Sequence, residues 1–535
     1  MKIAIAQINC TVGDISGNVE KILDAVKQAR QGGAELVVTP ELALSGYPPA
    51  DLLLQETFYL ACEDALTRLA GAIEGITLVV GHPSFRDGKL FNAASVISNG
   101  HVLTTYHKNI LNKSSYFNEQ YYFDPGTGSC VFELAGIRFG INICADFWLS
   151  DPAIRATPDD MDILLVLSAS AYHINKQASR HQITRQFVEK TGIPVIHANL
   201  VGGQDELVFD GASFAINRQG ELTHQWGVFK ETIGMIDIQE KQPVQGEIVP
   251  PQPLIANVYQ ALCRGVKDYV HKNGFPGVLL GLSGGVDSAL TLAIAVDALG
   301  AERVQTVMMP SRYTADISLY DANEMVTLLG IKHYECSIQP LFEQYLKTLA
   351  DEFHSLPNPA GLNTMPENLQ ARIRGTLLMA LSNQSGAIVL TTGNKSEIAV
   401  GYCTLYGDMA GGFSVLKDIS KTMVYQLCNY RNQISLIIPE RIIQRAPSAE
   451  LRPNQTDQDS LPPYDVLDAI IEAYVEKNCS PAAIIAMNYQ EADVRRVIHL
   501  IHKNEYKRRQ APPGIRITSR DFGTAWHYPI TAHYQ

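Results

Sequence analysis

Residues 281–288, GLSGGVDS, place three glycines, two serines and an aspartate in one short segment. Successive backbone N–H groups of such a turn converge on one point, and that point suits an anion. The glycines carry no side chain that would keep a pyrophosphate away, and the serines add hydroxyl donors. Asp287 can hold a magnesium ion that neutralises the phosphates. The segment therefore predicts a nucleotide phosphate site.

An alternative interpretation of this segment is a glycine-rich turn that only caps the following helix through Ser283 or Asp287. The Gly-Lys-[Ser/Thr] ending of a Walker loop is absent, so that type of phosphate site is excluded. The complete octet favours phosphate binding over simple capping.

Three further reactive groups lie near predicted strand ends in the first half of the chain, namely Glu41, Lys108 and Cys144. Each is ambiguous by itself, because a cysteine that closes an apolar strand is commonly inert and a Glu or Lys at a loop edge is usually solvated. Together, a carboxylate, an ammonium group and a thiol suit amide hydrolysis.

These residues need elements to position them, and the chain alternates strand and helix patterns. Residues 2–9 and 35–41 predict strands, and residues 17–31 and 57–73 predict helices. Later apolar runs such as GIRFGINIC and DILLVLS predict more strands. Many strands interleaved with helices indicate a layered α/β domain.

A boundary is predicted in QEKQPVQGEIVPPQPLI, which is rich in Pro and Gln and cannot easily continue a helix or strand. We therefore predict domains at 1–240 and 256–535, joined by a linker at 241–255. After the boundary, a buried strand at 278–282 leads through the glycine turn into a helix at 286–299, and the rhythm continues downstream. This pattern predicts a doubly wound parallel sheet.

Composition narrows the class of protein. A formal charge of −12 over 535 residues disfavours a nucleic-acid partner. The nine cysteines form no C-x-x-C pair, so we predict no zinc site and a reducing compartment. No stretch approaches the length of a membrane span, and the N-terminus is unlike a secretory leader. A cytoplasmic enzyme without membrane or nucleic-acid partners is predicted.

The octet is similar to the S-G-G-x-D-S loop of the ATP pyrophosphatase superfamily, whose members cleave ATP to AMP and pyrophosphate while forming an adenylate. The long run MPENLQARIRGTLLMALSNQSG with IVLTTGNKSEIAVGYCTLYGDMAGGF, and APSAELRPNQTDQDSLPPYDVLD at 446–468, resemble the glutamine-dependent NAD synthetases. The segment at 446–468 is polar and Pro-rich, which suits a lid over the site.

That resemblance implies three groups of site residues. The ATP site is Gly281, Leu282, Ser283, Gly284, Gly285, Val286, Asp287, Ser288 and Thr392. The deamido-NAD site is Asn368, Arg372, Glu397, Asp408, Lys421 and Lys507. The Mg²⁺ ligands are Asp287 and Glu397. For Lys507, which opens a run of three basic residues, a solvated basic face is an equally good interpretation.

The first half resembles the nitrilase superfamily through TPELALSGYPPADLL, the Y-x-K before Glu119, and ICADFW. The resemblance implies that Glu41 is the base, Lys108 the oxyanion partner and Cys144 the nucleophile. It also implies a glutamine-binding group, formed by Glu119, Ser170 and Lys176.

Departures from the family pattern cluster around this amide site. The tyrosine expected to touch glutamine falls on Ser114, within a segment from Asn112 to Ser115 that differs throughout, and Tyr116 can fill the space. Ala145 replaces the usual Glu after the nucleophile, and Ala171 replaces a proline. The three reactive residues are kept, so glutaminase activity is still expected.

Together the resemblances imply a nitrilase-like αββα sandwich followed by a doubly wound, Rossmann-like synthetase domain. The implied activity is ATP-dependent amidation of deamido-NAD with ammonia from L-glutamine, passed through an enclosed passage, in a homo-oligomer that is a dimer of synthetase domains or an octamer. Alternatives are a GMP or asparagine synthetase, a tRNA modifier, and a synthetase that uses only ammonia because its first domain is impaired and merely regulates.

Overall fold

The computed structural model describes the chain except for short gaps, over residues 1–114, 116–149, 160–356, 364–453, 455–523 and 525–532. Two compact units divide it, Met1–Gln252 and Pro253–Gln535. None of the helices in these ranges combines the length and the apolar character that crossing a membrane requires.

The first unit contains the strands β1 (Lys2–Gln7), β2 (Leu36–Val38), β3 (Thr77–Arg86), β4 (Lys89–Ser98), β5 (His101–His107), β6 (Val131–Leu134), β7 (Ile137–Ile143), β8 (Ile163–Ser168), β9 (Val195–Asn199), β10 (Val201–Gln204), β11 (Leu207–Asp210), β12 (Phe214–Ile216), β13 (Leu222–Gln225), β14 (Thr232–Gln239) and β15 (Gln242–Pro243). Its α-helices are α1 (Ile15–Gln31), α2 (Glu56–Ala72), α3 (Glu119–Tyr122), α4 (Ala145–Leu149) and α5 (Lys176–Thr191), and a 3₁₀ turn covers Ala50–Leu54.

Two main sheets organise these strands. One has the order β15-β14-β1-β2-β3-β4-β5, the other has the order β13-β12-β9-β8-β7-β6, and β10 pairs with β11 separately. Within the first sheet β1, β2 and β3 are parallel, and within the second β7, β8 and β9 are parallel. Both sheets are therefore mixed, with antiparallel strands toward their edges.

The core of this unit lies between the two sheets. Ile3, Val79 and Val96 of one sheet share an apolar cluster with Phe139 and Leu165 of the other. Helices α1 and α2 cover the outer face of the first sheet, and α5 covers that of the second. The predicted αββα sandwich is confirmed.

Helix α1 shows how local sequence sets these layers. The Asp14 side chain accepts a hydrogen bond from the Gly17 N–H and so caps the helix start. Val19, Ile22 and Val26 recur at helical spacing and are buried, because they form one apolar stripe against the sheet.

The second unit contains β16 (Val278–Gly281), β17 (Val304–Met308), β18 (Lys332–Glu335), β19 (Ile388–Thr391) and β20 (Phe413–Ser414). Its α-helices are α6 (Leu254–Lys272), α7 (Val286–Leu299), α8 (Asp316–Leu329), α9 (Gln339–Thr348), α10 (Ala350–Ser355), α11 (Met365–Ser385), α12 (Lys395–Val400), α13 (Lys421–Ile434), α14 (Glu440–Gln444), α15 (Tyr464–Ile471), α16 (Pro481–Ile485), α17 (Glu491–Lys503) and α18 (Glu505–Arg508). Short 3₁₀ turns cover Ala301–Arg303 and Asp457–Asp459, and a π-helical turn covers Glu472–Glu476.

The second unit is built on one parallel sheet in the order β18-β17-β16-β19-β20. The order runs outward in both directions from β16, which confirms the predicted doubly wound sheet. The carboxyl ends of β16 and β19 lie side by side at this reversal point, where open α/β sheets bind ligands. A separate helical cluster, formed mainly by α12, α15 and α17, completes the unit.

One strand lies in a stretch for which no regular structure was predicted. Gln242 and Pro243 form β15, an edge strand that pairs with β14 in a stretch whose Pro and Gln content indicated no regular structure. An edge strand tolerates proline because one side of its backbone needs no ladder partner.

Candidate active sites

Cys144 lies in a sharp turn between a strand and a helix. Strand β7 ends at Ile143, helix α4 begins at Ala145, and Cys144 between them has a φ of +41°. Its N–H donates to the Leu167 carbonyl at 2.9 Å, which ties the turn to β8. Left-handed backbone at a non-glycine residue is strained and is concentrated at functional sites.

A buried ion cluster lies beside this turn. Lys108 Nζ donates to Glu41 Oε1 at 2.6 Å and to both carboxylate oxygens of Glu119, at 2.7 and 2.8 Å. All three side chains are at most 1% exposed. The Ala169 N–H donates to Glu41 Oε2 at 3.0 Å, so each oxygen of that carboxylate has a fixed partner.

The electrostatics of the cluster match hydrolytic chemistry. Burial would lower the pKa of Lys108, but Glu41 and Glu119 raise it well above its usual value. Burial raises the pKa of the Cys144 thiol to about 12, with Glu41 adding to the rise and Lys108 opposing it. At neutral pH the ammonium is therefore charged and the thiol protonated, so the thiol needs a base.

Two residues of this site were missed by the sequence analysis. Asn92 Nδ2 donates to Glu41 Oε1 at 2.8 Å and to Glu119 Oε1 at 2.9 Å. Asp146 accepts the N–H groups of Asn109 and Ile110, which follow Lys108 directly, and the N–H of Ile143. A polar residue inside the apolar run KLFNAASVIS was the available signal for Asn92.

Glu119 is placed against Lys108, where its Oε2 also accepts the Asn112 N–H at 2.7 Å. Ser170 is held by Arg180, whose guanidinium donates to its hydroxyl at 3.2 Å and to its carbonyl at 2.7 Å. Arg180 in turn forms a buried ion pair of 2.8 Å with Asp210. Lys176 begins α5, and its charge acts to lower the pKa of Cys144.

The segment that departs from the family pattern is folded on itself. Ser114 Oγ donates to the Phe117 carbonyl at 2.7 Å and accepts the Phe117 N–H at 3.1 Å. Tyr116 packs against the core and interacts electrostatically with Tyr47. Ser115 lies outside the described residues.

In the second unit, the octet forms a turn between β16 and α7. Gly284 has a φ of +78°, and a Cβ at this position would lie 2.5 Å from the Ser318 carbonyl oxygen. Only glycine fits here, because the conformation is left-handed and backbone blocks the side-chain position. Ser288 Oγ closes the turn through hydrogen bonds with the Gly285 carbonyl at 2.9 Å and with the Ser283 N–H at 3.3 Å.

Asp287 lies in the octet and in the first turn of α7, and it belongs to a group of charged side chains. Its Oδ2 accepts Lys421 Nζ at 2.5 Å, and its Oδ1 accepts Asn394 Nδ2 at 3.0 Å. Lys421 Nζ lies 3.3 Å from Glu397 Oε1. Asn394 and Glu397 also form a capping box at the start of α12, which fixes the position of that carboxylate.

These charges shift one another. Burial raises the pKa of Glu397 to about 8; Lys421 opposes the rise, and Asp287 and Asp457 add to it. Burial would lower the pKa of Lys421, but Asp287 and Glu397 raise it. The site therefore concentrates negative charge around one ammonium group.

A cavity of about 450 Å³ collects most of the predicted synthetase residues. All eight octet residues line it, together with Thr392, Asn368, Glu397, Asp408 and Lys421. Residues 446–451, from the predicted lid segment, also line it. The cavity therefore brings the ATP and deamido-NAD groups together, at the carboxyl ends of β16 and β19.

Arg372 and Lys507 are not among the residues that line the cavity. Arg372 Nε donates to the Leu405 carbonyl at 3.2 Å, and Lys507 Nζ donates to the carbonyls of Gly401 and Cys403, at 2.7 and 2.8 Å. Gly401 and Cys403 line the cavity, so Lys507 supports its wall. Arg374, two residues after Arg372, does line it.

Several cavity-lining residues besides Arg374 were not predicted individually, among them Asp457, Arg445, Glu450 and Ser318. Asp457 accepts the Tyr464 hydroxyl at 2.7 Å. Arg445 and Glu450 form an ion pair of 2.6 Å, and both bond the hydroxyl of Ser318 beside the octet. Glu450 and Asp457 lie in the segment predicted as a lid, whereas Ser318 and Arg445 come from a helix and a loop where no local pattern marks them.

Comparisons with known proteins find matches for both units of the chain. Residues 2–243 match the family model of carbon-nitrogen hydrolases, and residues 258–511 match that of NAD synthases. The chain is 45% identical over 535 residues to the glutamine-dependent NAD(+) synthetase of Acinetobacter baylyi, covering 99% of this chain and 98% of that protein. It is 39% identical over 575 residues to that of Thermotoga maritima, covering 100% and 99%.

Solved structures give the same result. The glutamine-dependent NAD+ synthetase of Acinetobacter baumannii, in complex with adenosine diphosphate, has a TM-score of 0.79 at 42% identity and covers 99% of this chain and 98% of its own. The synthetase of Cytophaga hutchinsonii has a TM-score of 0.86 at 21% identity, covering 100% and 98%, and supports the fold alone.

Proposed function

Because this chain belongs to the family of glutamine-dependent NAD(+) synthetases, we propose that it amidates deamido-NAD to NAD⁺ with ATP and L-glutamine. AMP, pyrophosphate and glutamate are the other products. Residues 1–240 hydrolyse glutamine, residues 241–255 link the domains, and residues 256–535 carry out the amidation. The observation that carries the proposal is the pairing, in one chain, of the buried Cys144 centre with the octet-lined cavity.

Glutamine hydrolysis begins at Cys144. Glu41 takes the thiol proton, and the thiolate attacks the side-chain amide carbon of glutamine. Lys108 stabilises the oxyanion that forms, because its ammonium is held charged by the two carboxylates. The C–N bond then breaks, ammonia leaves with the proton from Glu41, and water hydrolyses the thioester to glutamate.

Glutamine is recognised by Ser170 and Lys176, with Glu119 acting through Lys108. The network of Arg180 and Asp210 supports this assignment of Ser170, because it fixes the serine at both its hydroxyl and its carbonyl. The replacements at Ser114, Ala145 and Ala171 alter the detailed contacts with glutamine.

Amidation takes place in the cavity of the second unit. The octet and Thr392 bind ATP, and Asn368, Glu397, Asp408 and Lys421 bind deamido-NAD; Arg372 and Lys507 hold the wall around it. The nicotinate carboxylate attacks the α-phosphorus and releases pyrophosphate, and ammonia then displaces AMP from the adenylate. Lys421 lowers the repulsion between the two anions that must meet.

A magnesium ion fits the carboxylates of Asp287 and Glu397. Both supply the oxygen ligands that Mg²⁺ prefers, and Asn394 holds both in place. Phosphate oxygens and water would complete the coordination of an ion held by these two carboxylates, and the ion would neutralise phosphate charge.

We also propose that the enzyme is cytoplasmic and forms homo-oligomers through its synthetase domains. None of the nine cysteines, all of which lie in the described ranges, forms a disulfide, which supports a reducing compartment. The oligomer remains a prediction from the family resemblance, to be measured by light scattering.

The test is NAD⁺ formation from deamido-NAD and ATP with either glutamine or ammonium as nitrogen source. Cys144→Ala should lose glutamine use and keep ammonium use, whereas Cys130→Ala, at a partly buried thiol in a loop of the same unit, should keep both. A wild-type enzyme that uses only ammonium would show that the first domain is impaired. Consumption of ATP with another acceptor, and not with deamido-NAD, would favour a different amidating enzyme.

A further inference from the structure

We propose that Asn92 is a positioning residue of the glutaminase centre, whose side-chain amide holds the carboxylates of Glu41 and Glu119 together in their ionised form. The inference rests on the proposed function of that centre. It adds to the site a residue that acts on the base, Glu41, whereas Lys108 also stabilises the oxyanion.

The geometry is a shared clamp. The Oε1 atoms of Glu41 and Glu119 each accept two hydrogen bonds, one from Lys108 Nζ and one from Asn92 Nδ2. The four distances lie between 2.6 and 2.9 Å. The two N–H groups of one amide thus bridge the same pair of oxygens that the ammonium bridges.

Charge explains why a second bridge is needed. Two carboxylates and one ammonium leave the fully ionised cluster with one excess negative charge in a buried site. Burial raises the pKa of Glu119, with Lys108 opposing the rise and Glu41 adding to it. A neutral donor that bonds both carboxylates favours their ionised forms without adding a charge. Glu41 must be ionised to take the thiol proton, so this donor supports its function as base.

The strand position shows that Asn92 is not present for packing. Asn92, Ala94 and Val96 alternate along β4, and the latter two pack in the core between the sheets. Asn92 is 0% exposed, and its Oδ1 has no hydrogen-bond partner among the described residues. A buried amide with an unpaired acceptor is costly, whereas leucine has a similar volume and lacks that cost. The amide is accounted for by what its Nδ2 does.

Other titratable groups act on the carboxylate pair directly or through a neighbour, and all of them stay the same in the variants that are compared. Lys108, Cys144 and Tyr47 interact with Glu41 and Glu119 directly. Tyr116, Lys176 and Asp146 interact in turn with Tyr47, Cys144 and Lys108. None of them needs to be substituted to test Asn92.

The experiment measures kcat/KM for glutamine hydrolysis against pH in the full-length enzyme. Asn92→Leu removes both donors and keeps the branched shape, so the acid limb of the profile should move up by about one pH unit, with a fall of about tenfold in kcat/KM at pH values below that limb. Asn92→Asp has the same shape and replaces the donor with an acceptor, and its acid limb should also move up. Ammonium-dependent NAD⁺ formation serves as the fold control.

Ser95→Ala is the matched control. Ser95 is buried in the same strand, three residues on, and bonds His82 Nε2 at 2.7 Å and Thr105 Oγ1 at 2.8 Å. Its loss should weaken β4 without moving the acid limb. If Asn92→Leu and Asn92→Asp lower the rate but leave the acid limb in place, the proposal is wrong and Asn92 is structural. If Cys144→Ala still hydrolyses glutamine, the proposed centre itself is wrong, and the two failures are thereby distinguished.

Discussion

Lys421 Nζ lies 2.5 Å from Asp287 Oδ2, so the ammonium group at the start of one helix neutralises the carboxylate in the first turn of another. The same ammonium reaches Glu397 at 3.3 Å. An ion that would be costly to bury alone is thus satisfied by two carboxylates that line the synthetase cavity. The Lys421 ammonium group therefore places a positive charge where ATP and a dinucleotide bring negative charge.

Lys421→Met should therefore abolish NAD⁺ formation with both nitrogen sources, by at least about a thousandfold, because Asp287 loses its cation, Glu397 loses a hydrogen-bond donor, and the substrates lose the cation between them. Stability should fall by about 3 kcal/mol in urea unfolding of the ligand-free protein. Glutamine hydrolysis, measured as glutamate release, should persist. Lys332→Met, at an exposed lysine of the same unit, should change neither NAD⁺ formation nor stability. Equal rates of NAD⁺ formation in the two variants would show that Lys421 takes no part in the reaction.

Lys108→Met should affect only the use of glutamine. The oxyanion loses its cation, and Glu41 and Glu119 are left as adjacent buried carboxylates, so glutamate release should fall by about a thousandfold. NAD⁺ formation with ammonium should stay near the wild-type rate. Lys113→Met, at an exposed lysine five residues on, is the control. Loss of ammonium use in Lys108→Met alone would contradict the division of labour between the two domains.

The octet could be located from the sequence because a strand, a glycine pair and a helix are contiguous there. Strand β16, the turn and helix α7 form as predicted. The alternation of strands and helices predicted a layered α/β first domain and a doubly wound second sheet, whereas the αββα sandwich was implied by the family resemblance. Asn92 could not be identified as a site residue from the sequence, because its role depends on hydrogen bonds to Glu41 and Glu119, which are 51 and 27 residues away in sequence.

The same limit applies in the second unit. Arg372 and Arg374 lie two residues apart in α11, and sequence resemblance selected Arg372, which does not line the cavity. Residues two apart in a helix point about 200° apart, so only the packing of α11 decides which faces the ligand. Asn394, by contrast, carries a local signal in the sequence, because it precedes Glu397 by three residues and forms a capping box with it at the start of α12.

Magnesium dependence should vary with pH through Glu397. Burial raises the pKa of this carboxyl to about 8, so most of it is protonated at pH 7 in the ligand-free protein, and binding a cation requires the carboxylate. The apparent affinity for Mg²⁺ should therefore rise about fivefold between pH 7 and pH 8. ATP–pyrophosphate exchange with deamido-NAD measures this without ammonia, whose own titration would interfere. Glu397→Gln should lose the dependence; a flat profile in the wild type would contradict the assignment.

Gly284→Ala tests the octet through backbone geometry. The residue has a φ of +78°, and an added Cβ would lie 2.5 Å from the Ser318 carbonyl oxygen, so the turn must move. We expect the KM for ATP to rise at least about tenfold, because the N–H groups that meet the phosphates are displaced. Gly330→Ala is the matched control, since its φ is +63° but no atom lies within 4 Å of the added Cβ. It should cost about 1 kcal/mol in stability and leave the KM for ATP unchanged. Similar KM values in the two variants would mean that the turn at 283–288 does not bind the phosphates.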